Sequence, residues 1–207
     1  MRVLVEGDLT GEGSIEAAQR LVAQCKTSRV EINTGDTGKI VRIVTESAVR
    51  CYVYRARDEK PNAPEIFNGE IVDCRQGVPV AKKSTKTGSH EGLSLAVRIA
   101  MLIKDSSGFL FFPGEEGTLA GLFTILAFLV REHREKGSSL GRRVALVGWG
   151  PNTLINLASL YFQPTDMSAR WVKEFGLGET YEALCWLARE SGRRDGAGIG
   201  TTSCFGR

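Results

Sequence analysis

The chain has 207 residues, of which 42% are hydrophobic and 25% charged, the balance of a folded globular protein rather than a disordered or fibrous one. Lys and Arg exceed Asp and Glu by 27 to 24, a formal net charge of +3, too small to argue for nucleic acid as a partner, so any anion site has to be local. The longest apolar-rich run, Leu119 to Val130, spans 12 residues and is broken by Gly121 and Thr124, well short of the roughly 20 that a membrane-crossing helix needs.

Taken in chain order, Arg2 to Glu6 reads as a short buried strand ended by Gly7, with Ser14 as the expected N-cap of a helix to Lys26. In that helix Ile15, Ala18, Leu21, Val22 and Cys25 recur at three- and four-residue spacing, a single buried stripe. A second strand, Arg29 to Asn33, passes through Thr34-Gly35-Asp36-Thr37-Gly38 into a helix over Ile40 to Val49, and Cys51 to Arg55 is a third strand. Residues 58 to 91 are irregular, with short strands expected at Glu70 to Cys74 and Val78 to Ala81 before the basic stretch Lys82 to Lys86. That stretch reads as a solvated loop, with a mobile basic lid as the alternative. Gly92 to Lys104 returns to helical spacing, Gly108 to Phe112 is a continuous apolar strand, and Leu119 to Lys136 is a long helix, apolar at its start and charged at its end. A strand at Arg143 to Val147 and helices at Thr153 to Leu160 and Thr180 to Glu190 complete the reading.

Strands alternating with helices imply right-handed crossovers and a mostly parallel sheet covered on both faces. The expectation is therefore a doubly wound, Rossmann-like α/β fold, one domain over residues 1–190, followed by a Gly- and Arg-rich mobile tail over 191–207.

Five cysteines, Cys25, Cys51, Cys74, Cys185 and Cys204, are spread along the chain without C-x-x-C spacing. They read as reduced, buried thiols, not as a zinc or disulfide framework. Of the two histidines, His133 sits in a charged helix end and His90 in a Gly- and Ser-rich stretch, so no metal site built by the protein is expected. Met1 to Val5 runs straight into the first strand without a charged leader and apolar core, and a cytoplasmic protein without a secretory signal is expected.

In an open parallel sheet ligands bind beyond the carboxyl ends of the strands, where the strand order reverses. Three glycine-rich turns fall there: Gly7 to Gly13, Thr34 to Lys39 and Pro113 to Thr118. Glycine admits positive φ and close backbone approach, and each following helix start offers unsatisfied N–H groups and partial positive charge, together an anion site suited to phosphate. The expected ligand-binding residues are Gly7, Gly35, Asp36, Thr37, Gly38, Gly114, Glu115, Gly117 and Thr118, with Thr118 as a helix N-cap. None of the turns fits G-x-x-x-x-G-K-[ST] or G-x-G-x-x-G, which argues against ordinary ATPase and NAD-enzyme readings.

The succession of Gly35-Asp36-Thr37-Gly38 opening a helix, Arg98 within a helix, and Phe112-Pro113-Gly114-Glu115-Glu116-Gly117-Thr118 opening another resembles the LOG-like proteins over roughly residues 1 to 150. These are Rossmann-like nucleotide-binding proteins that include the cytokinin-activating phosphoribohydrolases and proteins once labelled lysine decarboxylases. The resemblance implies a nucleoside-monophosphate or related phosphate ligand at the glycine turns and a homodimer packed through helices, here through Leu119 to Val130. It also implies a catalytic role for Arg98. Where the family pattern P-G-G-x-G-T-x-x-E has its second glycine and its carboxylate, this chain has Glu115 and Gly121. Cleavage of an N-glycosidic bond builds positive charge on the sugar, which a carboxylate stabilises and Gly121 does not.

Two functions are thus expected in order. The first is binding of a nucleotide or nucleotide-like phosphate without the family's chemistry, analogous to the nucleotide-sensing and molybdenum-cofactor-carrying members of the wider superfamily. The alternative is a divergent phosphoribohydrolase of nucleoside 5′-monophosphates, with Arg98 positioning phosphate and Glu116 as the substitute carboxylate. Against these roles, Glu115 and Glu116 also read as first-turn acids complementing a helix dipole, and Arg98 as a salt-bridged helix residue.

Overall fold

A computed structural model describes residues 1–9, 11, 13–36, 38–56, 67–74, 88–136, 142–150 and 171–188. The strands are β1 (Arg2–Glu6), β2 (Glu31–Thr34), β3 (Cys51–Arg55), β4 (Gly69–Asp73), β5 (Gly108–Phe111), β6 (Val144–Val147) and β7 (Val172–Phe175). The helices are α1 (Ser14–Thr27), α2 (Lys39–Glu46), α3 (Gly88–Asp105), α4 (Glu116–Lys136) and α5 (Thr180–Ala188). One seven-stranded sheet runs in the order β4-β3-β2-β1-β5-β6-β7, and every adjacent pair is parallel.

Parallel strands need crossovers, and the sequence supplies helices whose apolar stripes match the two faces of the sheet. On one face Val3, Val5, Ile32, Leu110 and Ala145 pack against α1, α2 and α5 through residues such as Leu21, Val44 and Leu184. On the other, Leu4, Phe109, Phe111 and Leu146 pack against α3 and α4 through Leu102, Leu122 and Leu129. Alternation along β1 and β5 sends consecutive side chains into different clusters, so Val3 to Val5 and Phe109 to Phe111 are apolar without interruption. The doubly wound α/β expectation is met.

Several boundaries shift for local reasons. Gly13, at φ 73°, is the N-cap of α1, while Ser14 is its first residue and turns its hydroxyl back to the Gly11 carbonyl. The expected Ser14 cap is corrected accordingly. Arg29 and Ala48 adopt left-handed backbone, at φ 55° and 59°, so β2 begins at Glu31 and α2 stops at Glu46. Helix α4 starts at Glu116, so Thr118 is its third residue and not its N-cap as the sequence suggests. β7 is an addition to the sequence reading: Val172-Lys173-Glu174-Phe175 is short and half charged, and it is a strand because β6 pairs with it. The strand expected at 78–81, the helix expected at 153–160, Thr37 and the 191–207 tail lie outside the described residues.

Candidate functional site

The strand order reverses at β1, which pairs with β2 on one side and β5 on the other. Crossovers leave this point in opposite directions, the arrangement at which open parallel sheets bind ligands beyond their strand ends. The chain past β1 is laid against the chain past β5: Phe112 N–H donates to the Glu6 carbonyl at 2.9 Å, and Asp8 N–H donates to the Pro113 carbonyl at 3.2 Å. Gly7 makes this approach possible. Its φ is +147°, and a Cβ there would stand 2.6 Å from Phe112 Cβ, a contact only glycine avoids.

Asp8 consequently reaches the start of α4. Its Oδ2 accepts the Glu115 N–H and, at 3.3 Å, the Thr118 hydroxyl. Gly114 lets this happen, since a Cβ on it would overlap the Thr118 hydroxyl and come within 2.7 Å of Asp8 Oδ2. The other oxygen, Oδ1, lies 3.7 Å from where a Cβ on Gly38 would sit, at the mouth of α2, and Gly38 has φ +87°. One carboxylate thus belongs to the first glycine-rich junction, is hydrogen-bonded to the third and lies next to the second.

Beside it is a second group. Gly35 N–H donates to Glu6 Oε1 at 3.1 Å, and Arg98 Nη1 on α3 donates to Asp36 Oδ1 at 2.7 Å. Asp36 Oδ2 accepts the Ala56 N–H at 2.9 Å, tying the junction after β2 to the end of β3. The Arg98–Asp36 pair is buried, at 16% and 2% side-chain exposure, and the Arg98 Nε lacks a hydrogen-bond partner among the described residues. Burial pushes the Glu6 carboxyl above its ordinary 4.5. Arg98 and the Gly35 N–H pull it back, while Asp36 and Asp8 push it further up.

Of the residues singled out from sequence, Gly7, Gly35, Asp36, Gly38, Arg98, Gly114, Glu115 and Thr118 come together here. Glu116 and Gly117 are exposed in the first turn of α4, where the acidic charge of Glu116 complements the positive helix end. A Cβ on Gly117 would meet open space, so no close approach requires glycine there. At Gly121, where the resembled family has its carboxylate, a Cβ would face the Phe111 ring at 4.0 Å. Sequence reasoning missed Glu6 and Asp8. Their signal was position alone, the last residue of the first strand and the residue after its glycine.

Among the described residues, no group of three or more His, Cys, Asp or Glu side chains is placed to hold a metal ion, and no helix is long and apolar enough to cross a membrane. A separate cleft of about 260 Å³ opens at the amino ends of β2 and β3, among Lys26, Arg29, Glu31 and Arg50. It lies across the sheet from the switch point, and its carboxylate, Glu31, already pairs with Arg2 and Arg50.

No protein-family model matches the chain, and no curated protein matches it in sequence. Solved structures do match. The molybdenum cofactor carrier protein of Chlamydomonas reinhardtii is 15% identical, with a TM-score of 0.56 over 90% of this chain and 97% of that one. The molybdenum cofactor binding protein of the phototrophic bacterium Rippkaea orientalis is 13% identical, with a TM-score of 0.53 over 88% and 93%. At such identities the likeness is one of fold, and nearly the whole of each chain takes part in it. This chain shares the Rossmann-like α/β fold of those cofactor proteins.

Proposed function

We propose that this protein binds a nucleotide or nucleotide-like phosphate at the crevice between β1 and β5, and does so without cleaving a glycosidic bond. One observation carries the reading: the glycine-rich starts of α2 and α4 and the turn after β1 lie within reach of a single carboxylate, Asp8. Donors that bind one small oxyanion have the chemistry to bind another, because helix-start amides favour negative charge whatever its source. Arg98 stands by Gly35 at the edge of this group and would meet a phosphate through its guanidinium. Solved neighbours of the same fold are described as carrying or binding the molybdenum cofactor, in keeping with a small-molecule guest and a carrier role. The absence of an acid at Gly121 supports binding over hydrolysis.

A second reading, hydrolysis of a nucleoside 5′-monophosphate, draws on Glu116, whose exposed carboxylate stands in the first turn of α4. One experiment separates the two. The protein is incubated with a panel of nucleoside monophosphates, binding is followed by calorimetry, and free base and ribose 5-phosphate are followed by chromatography. Binding without base release is expected. Base release that disappears in Glu116→Gln would establish the hydrolase, and no binding of any member would overturn both readings.

The same reading makes residues 1–190 one ligand-binding domain and the protein a homodimer. Support for the dimer comes from α4, whose outward positions Ala120, Thr124, Ala127 and Phe128 are exposed and uncharged, unlike the outward Lys39, Arg42 and Glu46 of α2. Light scattering is expected to give twice the 22.6 kDa chain mass; a monomer at all concentrations would refute it. Cytoplasmic residence is supported by Cys25, Cys51 and Cys74, all buried thiols outside any disulfide, as thiols in a reducing compartment are.

A further inference from the structure

We infer that Asp8 is a built-in anion that keeps the place of the ligand's phosphate and must leave it when phosphate binds. This rests on the phosphate-binding reading above and adds to it how the site is held when empty and what sets its affinity. Three observations place Asp8 in the role. Its Oδ2 takes the Glu115 N–H and the Thr118 hydroxyl, donors that a phosphate at the start of α4 would use. Its Oδ1 lies 3.7 Å from where a Cβ on Gly38 would sit, at the start of α2, so the carboxylate is hydrogen-bonded to one helix start and stands next to another. Gly114 lacks the Cβ that would stand 2.7 Å from Asp8 Oδ2, so the place the carboxylate takes is one that glycine at this position keeps clear.

Charge decides between coexistence and replacement. Glu6 lies close enough to both Asp8 and Asp36 to feel their charges, and Arg98 is engaged by Asp36. A phosphate carrying one to two negative charges entering next to a fixed Asp8 carboxylate would face repulsion in a partly buried site. Removing Asp8 from the amides relieves the repulsion and frees the donors together. Asp8 is a half-buried residue on a turn, so rotation of its side chain toward solvent suffices, with no movement of β1. Apparent affinity is then reduced by the fraction of molecules in which Asp8 has withdrawn. The device has a structural use: without ligand, the first turn of α4 is capped by the protein itself.

The test is calorimetric titration of the full chain with inorganic pyrophosphate and with AMP, for wild type, Asp8→Asn and Asp8→Ser. Serine keeps a capping oxygen without the charge, so a loss of fold specific to Asn does not decide the outcome, and circular dichroism verifies both variants. Both are expected to bind pyrophosphate and AMP about ten-fold more tightly than wild type, since one uncharged substitution removes competitor and repulsion together. Equal or weaker binding by folded variants overturns the inference. So does binding by wild type that requires Mg²⁺ and is lost in Asp8→Asn, which would make Asp8 a contact to the bound complex. In both of those results wild-type binding still upholds the phosphate-binding reading, whereas no binding by wild type or either variant brings down that reading and the inference with it.

Discussion

Arg98 Nη1 and Asp36 Oδ1 stand 2.7 Å apart beyond the carboxyl end of β2, joining the middle of α3 to the turn after β2. The pair is almost out of solvent, and Asp36 spends its second oxygen on the Ala56 N–H. It does two things at once: it fixes the loop that carries Gly35 and Gly38, and it holds a guanidinium beside the Gly35 backbone.

Removing either partner strands the other charge in a buried place. Asp36→Ala and Arg98→Ala are each expected to cost about 3–5 kcal/mol, read from urea denaturation midpoints at constant slope. The double variant is expected to cost clearly less than the sum of the singles, because it leaves no orphaned charge. Additive losses would show that the two side chains do not act as a pair.

Gly7 and Gly117 should respond in opposite directions to the same substitution. Gly7→Ala drives a methyl into Phe112 at a φ of +147° and is expected to cost at least about 2 kcal/mol through overpacking and backbone strain. Gly117→Ala adds its methyl to open space on the first turn of α4 and is expected to gain about 0.5–1 kcal/mol from helix propensity. Thermal melts of the two variants decide it.

Glu6 should give stability a distinctive pH dependence. Burial raises its carboxyl pKa above 4.5 in the folded protein, so the folded state favours the protonated form more than the unfolded chain does. The contribution is fully present below the unfolded value and is lost as pH rises through the higher folded one. Glu6→Gln, which is neutral at every pH and keeps an oxygen for the Gly35 N–H, is therefore expected to gain on wild type as pH rises from 4 to 7.5. The gain is about 1.4 kcal/mol for each tenfold by which folding strengthens proton binding at Glu6. Parallel stability curves for the two proteins across that range would refute the assignment.

Burial pushes the thiols of Cys25 and Cys51 up to about 12, and both are fully enclosed in the core between the sheet and its helices. Neither is expected to react with iodoacetamide at pH 8 in the native protein, and both should react fully in denaturant. Mass spectrometry of the alkylated peptides reads this directly, and modification of either thiol under native conditions would contradict their placement.

The fold class was legible in the sequence because it depends on local pattern. Val3-Leu4-Val5 and Phe109-Leu110-Phe111 are apolar without interruption, as strands covered on both faces must be, and the stripe Ala18, Leu21, Val22 and Cys25 has helical spacing whatever it packs on. The glycine turns were legible for the same reason, since a need for special backbone conformation is written residue by residue. β7 was not, because Lys173 and Glu174 give no strand pattern and only the exposed edge of β6 makes one of that segment.

The site divides along the same line. Gly7, Asp36, Arg98 and Gly114 could be singled out one at a time, but the sequence does not say that the turn after β1 lies along the turn after β5, roughly a hundred residues away. That adjacency comes from strand order, fixed by crossovers that close only when the whole sheet assembles. It is what brings Asp8 to the start of α4 and Glu6 to Gly35, and so decides that the amides expected to wait for a phosphate are held by the protein's own carboxylates.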